Sequence, residues 1–210
     1  QRHFTVQNTG NNAVQTELHL SYLTLIGGVV NSVKFVDVID PSWLHLFKMS
    51  TGGFIFIGRG SSVDSLPTST PALLTMDTVH VDGAPPTGTT NADGFNAYSG
   101  GGISAQNSKI IMTNSTFSNL RARLSGGGIF LSAHAELSMN TTAFESNSAF
   151  NGGAILVKQS SLYILGGENE FVGNSAGEEG QQFCIQVPSN SSIIDRAVIT
   201  FDSCRAGTWT

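Results

Sequence analysis

The feature that most limits what this chain can fold into is a phrase it repeats. Gly101-Gly102-Ile103 returns as Gly127-Gly128-Ile129 and again as Gly153-Ala154-Ile155, preceded by Gly152, with successive copies 26 residues apart. A second marker keeps step. Phe117, Phe144 and Phe171 are spaced by 27, each followed within two or three residues by an asparagine (Asn119, Asn147, Asn174) and then by an alanine (Ala122, Ala149, Ala176).

The content between markers decides what the repeat builds. In the second copy, Gly128-Ile129-Phe130-Leu131-Ser132, Ala135-Glu136-Leu137-Ser138-Met139 and Thr142-Ala143-Phe144-Glu145-Ser146 are short segments with apolar residues at alternate positions. That period belongs to strands, not helices. A unit of three short strands cannot bury its apolar face alone, so the copies must stack on one another. The expected fold is all-β: a right-handed parallel β-helix, a solenoid with about 25–27 residues per rung and about 4.8 Å between rungs.

On this reading the markers are scaffold. Phe117, Phe144 and Phe171 stack as a column inside the coil. The glycine pairs mark a corner that needs positive φ or close backbone approach. Asn119, Asn147 and Asn174 fall at another corner, where asparagine tolerates the left-handed conformation and its amide can bond to the turns above and below.

Gly152-Gly153-Ala154-Ile155, taken with Phe144-Glu145-Ser146-Asn147 and Phe171-Val172-Gly173-Asn174, resembles the GGAI and FxxN repeat of the chlamydial polymorphic outer membrane proteins. That repeat also occurs in large secreted and surface proteins of other bacteria and of unicellular eukaryotes. The resemblance covers roughly residues 95–180. The first copy departs from it, since Phe117-Ser118-Asn119 is one residue short and its glycine run is followed directly by Ile103. The resemblance implies a β-helical passenger region, surface display and adhesion.

The 210 residues are read as one domain. Residues 1–94 are irregular rungs with projecting loops, 95–180 the regular rungs, and 181–210 the last rungs. Strand-like pieces before the repeat include Phe4-Thr5-Val6, Leu18-His19-Leu20, Val33-Lys34-Phe35, Phe54-Ile55-Phe56-Ile57 and Val79-His80-Val81. Residues 58–70 and 83–94, rich in Gly, Ser, Thr and Pro, read as loops, and 40–47 as a short excursion. Gln1 and Trp209-Thr210 read as the ends of a mature or excised piece.

Cys184 and Cys204, the only cysteines, are expected to form a disulfide closing the C-terminal rungs, worth about 3 kcal/mol by chain entropy. Three glycosylation triplets begin at Asn114, Asn140 and Asn190. Both features point outside the cell. Asn114 and Asn140, 26 apart, are expected on the same side of successive turns.

Only 12% of residues are charged, about half the usual share, and the net charge is -5. No basic cluster serves a phosphate backbone or an anionic membrane, so nucleic acid is not an expected partner. The longest apolar run, near residues 22–30, is broken by Thr24 and Gly27-Gly28, well short of the roughly 18 residues that cross a bilayer as a helix.

Catalysis on a parallel β-helix would need paired carboxylates for hydrolysis, or an acidic metal cluster with a basic residue for elimination. No Asp occurs between Phe95 and Ile194. The one compact group is Asp77, His80 and Asp82, and simple alternation puts His80 and Asp82 on one face and Asp77 on the other. Arg121 and Arg123 read as solvated, and the five histidines have no metal-ligand spacing. No catalytic residue, cofactor or metal site is expected. The expected role is a non-enzymatic, extracellular or cell-surface structural or adhesive module whose partners are other subunits or host glycans, with end-to-end stacking into a fibre available through open strand edges. A polysaccharide-active enzyme is the alternative, followed by a carbohydrate-binding module using Trp43, Tyr98, Tyr163 or Trp209.

Overall fold

A computed structural model of the chain describes residues 4–8, 17–27, 53–59, 71–84, 96–186 and 198–201. Among these residues the protein is all-β, and its strands, numbered in chain order, sort into three parallel sheets. The first holds β1 (Phe4–Asn8), β3 (Ile55–Arg59), β6 (Ile103–Gln106), β10 (Ile129–Ser132), β14 (Ile155–Lys158) and β18 (Phe183–Gln186), hydrogen-bonded in that order. The second is founded on two long strands, β2 (Glu17–Ile26) and β4 (Ala72–Asp82), paired along their length. From β4 one arm continues through β7 (Ser108–Thr113), β11 (Glu136–Asn140), β15 (Ser161–Ile164) and β19 (Val198–Phe201). The other runs through β8 (Thr116–Ser118), β12 (Ala143–Glu145) and β16 (Glu170–Val172). The third sheet has β5 (Ala97–Ser99), β9 (Ala122–Ser125), β13 (Ser148–Asn151) and β17 (Ser175–Glu179).

Sheet neighbours are never sequence neighbours, because each repeat sends one strand to every sheet arm. The register keeps like with like. Ile103, Ile129 and Ile155 pair 26 residues apart, Phe117, Phe144 and Phe171 pair 27 apart, and Leu137 meets Leu162 at 25. A one-residue slip inside a strand would turn its apolar side chains to solvent, so the strands hold register and the corners absorb the length differences.

Those corners are left-handed. One column is Tyr22, Thr78, Asn114 and Thr141, with φ between 49° and 55°. Asn119, Ser146 and Gly173 make a second, Asn107, Ala133 and Gln159 a third, and Gly100, Gly126, Gly152 and Gly180 a fourth. A left-handed non-glycine residue costs about 1–3 kcal/mol, so these turns persist only because the strands on either side are pinned.

The glycine run divides its duties. Gly126 supplies the positive φ of 61°. Gly127 provides close approach, since a Cβ there would strike the Gly153 carbonyl oxygen and lie 2.6 Å from the Ser148 nitrogen. The third position is the permissive one, held by Ala154 in the next copy.

Between the sheets lies one apolar core built of columns. Ile110, Leu137 and Leu162 form one, and Met76, Met112 and Met139 another. The Phe117 and Phe144 rings are fully buried and stack at 5.1 Å; Phe144 and the partly buried Phe171 stack at 5.2 Å, and Phe183 closes on Phe171 edge-on at 4.6 Å. Complete burial of a large apolar side chain contributes about 1.5–3 kcal/mol, so these columns dominate the stabilisation.

Several sequence expectations fall outside the described residues: the excursion at 40–47, most of the loops at 58–70 and 83–94, the strand-like piece at 33–35, Trp43, Asn190, Cys204 and Trp209.

Candidate functional site

The three asparagines grouped by the sequence separate into two roles. Register sets Leu120, not Asn119, opposite Asn147, because the first copy is one residue short after Phe117. Asn119 takes the left-handed corner at φ 54° and is exposed, its amide donating to Asp82 Oδ1 at 3.0 Å. Asn147 and Asn174 are buried and form a ladder. Asn147 Nδ2 donates to the Phe117 carbonyl (2.9 Å) and to Asn174 Oδ1 (2.9 Å), while its Oδ1 accepts the Leu120 N–H (3.1 Å). Asn174 Nδ2 donates to the Phe144 carbonyl (2.8 Å) and to Gln182 Oε1 (2.9 Å), and its Oδ1 also accepts the Asn147 N–H (3.0 Å). Every donor of both amides is used, which is the condition for a buried polar column to stabilise.

A second polar column stands behind another corner. Ser115 Oγ accepts the Val79 N–H (3.2 Å) and donates to the Thr113 carbonyl (2.8 Å); Thr142 Oγ1 donates to the Asn140 carbonyl (3.2 Å), and its N–H donates to Asn169 Oδ1 (3.0 Å). The Val79–Ser115 and Thr142–Asn169 bonds tie successive turns together, while the two hydroxyl donations close their own corners.

The acid and histidine group lies on β4. Thr78 is left-handed, which resets the alternation: Ala72, Leu74 and Met76 are buried before it, Val79 and Val81 after it. Asp77, His80 and Asp82 therefore all face outward, correcting the expectation that Asp77 lies on the opposite face. Five residues apart on one strand, Asp77 and Asp82 are separated by roughly 15 Å, beyond the roughly 5–9.5 Å of hydrolytic carboxylate pairs. Asp77 Oδ1 accepts bonds from Thr113 Oγ1 (2.6 Å) and Asn114 Nδ2 (3.2 Å). Those two bonds, Thr113 first, hold the Asp77 carboxyl below the ordinary carboxylate range, the wrong direction for a proton donor near neutrality. Asp82 Oδ1 accepts the Ala84 N–H at 3.0 Å in addition to Asn119, and both carboxylates are thus committed to holding corners.

Asn114 is exposed, at the left-handed corner. Asn140 pairs with Thr113, so the two triplet asparagines are offset by one residue in register, and the Asn114 N–H donates to the Asn140 carbonyl at 3.2 Å, which keeps them neighbours on successive turns. Thr142, the last residue of the second triplet, is fully buried. Cys184 is buried on β18, its thiol directed at Glu179 Oε2 at 3.9 Å. Burial first, and then the Glu179 carboxylate, raise the Cys184 pKa, which keeps the sulfur protonated and poorly nucleophilic. Lys109 and Glu136, register partners, form a half-exposed ion pair at 3.0 Å. Among the described residues no three His, Cys, Asp or Glu side chains converge as metal ligands, and no helix is long and apolar enough to cross a membrane.

Comparison with protein-family models, with curated proteins and with solved structures finds no match for this chain. The geometry therefore stands alone. Its most specific residues, the phenylalanine stack and the asparagine ladder, face inward, and the two carboxylates that face outward on β4 are spent on corners. Sequence reasoning missed the Ser115, Thr142 and Asn169 column; the signal for it is a small polar residue that recurs just before each FxxN segment, at 27-residue spacing.

Proposed function

We propose that the chain is a right-handed parallel β-helix serving as a structural or adhesive module of a cell-surface or secreted glycoprotein, without catalytic activity. The observation that carries this reading is the pairing of each strand with its counterpart one repeat away, with phenylalanine and asparagine columns running through the stack. A coil closed in this way presents strand faces at a fixed rise, a surface suited to contact. The resemblance of the 95–180 segment to the polymorphic outer membrane protein repeat supports the same reading, as do the glycosylation triplets at Asn114, Asn140 and Asn190. Its partners would be other protein subunits or surface glycans.

Incubation with a panel of pectins, alginates and glycosaminoglycans tests the catalytic half. The expected result is no new reducing ends and no unsaturated products; turnover of any member overturns it. Intact mass of the protein from its native source before and after glycosidase and reductant tests the compartment: a glycan loss and a two-proton gain on reduction support it, and the absence of both changes contradicts it.

A further inference from the structure

The outer face of the third sheet is apolar at its centre and oppositely charged on either side. Phe150 on β13 is 41% exposed, and Leu124 beside it on β9 is 37% exposed. On the β9 side Arg121 and Arg123 are exposed; on the β17 side Glu178 is exposed. None of these three charges has an ion-pair or hydrogen-bond partner among the described residues. Gly177 lies against the Phe150 ring, where a Cβ would stand 3.1 Å from Cδ2, so β17 sets no side chain against the ring at that position. Strand order is β17, β13, β9, β5, which sets Phe150 midway between the basic and acidic strands.

We propose that this face binds a second copy of the same chain. A two-fold axis running along β13, between the two faces, lays each β9 over the partner's β17, brings the two Phe150 rings together, and opposes Arg123 to Glu178 twice. The complementarity is internal to one surface, the requirement of an isologous interface. A same-sign alignment, with β9 over β9, is disfavoured by like charges. The four strands cover roughly 250 Å² per copy, against roughly 800 Å² for a stable interface, so the pairing is weak and salt-sensitive. It joins the molecules side by side, unlike end-to-end stacking, and does not depend on the surface-module reading.

Sedimentation equilibrium of the full 210-residue chain at low salt, up to about 1 mM, tests it. Concentration-dependent dimers are expected, with Arg123→Glu and Glu178→Arg each weakening association about tenfold and the double variant recovering it. Phe150→Ser is expected to weaken it as well, with circular dichroism of each variant unchanged. A monomer throughout, indifference to the charge reversals, or a double variant no tighter than the singles overturns the proposal.

Discussion

Asn147 and Asn119 come from the same sequence marker and have opposite sensitivities. Asn147→Ala removes the acceptor of the Leu120 N–H and a donor to both Phe117 and Asn174 inside a buried column, so a loss of about 3 kcal/mol in urea unfolding is expected. Asn119→Gly keeps the left-handed corner and forfeits only an exposed bond to Asp82, so its midpoint should move by less than about 0.5 kcal/mol equivalent. Asp77 adds a pH signature. Its folded pKa lies below the unfolded 3.8, so its contribution is present above that value and is lost as pH falls through the folded pKa. Asp77→Asn should therefore lower the melting temperature relative to wild type near neutrality, with the gap closing in acid; a gap that widens in acid contradicts the assigned bonds.

Strands and corners divide the labour between register and length. Phe144 stacks on both sides and is fully buried, whereas Phe171 is partly exposed. Phe144→Ala should cost about 3–5 kcal/mol, and Phe171→Ala clearly less, by the same urea measurement. A glycine inserted in the corner after Leu165, where the third copy is already longer, should cost about 0.5 kcal/mol or less, while one inserted between Leu137 and Ser138 should abolish cooperative unfolding. The strand content was legible because alternation and the 26-residue period report directly on burial, and the phenylalanine spacing is itself the register of β8, β12 and β16. The corners were less so. Left-handed turns are held by Tyr22, Thr78, Ala133 and Gln159 as well as by Gly and Asn, since neighbouring strands force a conformation those residues do not prefer. That is why the phase shift at Thr78, and with it the facing of Asp77, could not be read from β4 alone.

At the scale of the whole molecule, stability is a sum over repeats and their contacts, so removing one repeat in phase should leave a shorter version of the same fold. Deleting residues 127–152 joins Gly126 to Gly153 at the position Gly127 held, and the product should fold with a lower melting temperature; deleting half that length should leave no cooperative transition. The candidate sites were partly legible for a related reason: a repeat announces its scaffold residues by recurrence, whereas a surface patch such as Phe150 with Arg123 and Glu178 recurs nowhere and emerges only when successive strands are laid side by side. The most direct test of the stacked repeats is through-space NMR contact among specifically assigned phenylalanine rings. Phe144 should show contacts to both Phe117 and Phe171, with none between Phe117 and Phe171, which are two ring spacings apart. Phe144 in contact with neither ring would contradict the stack and everything built on it.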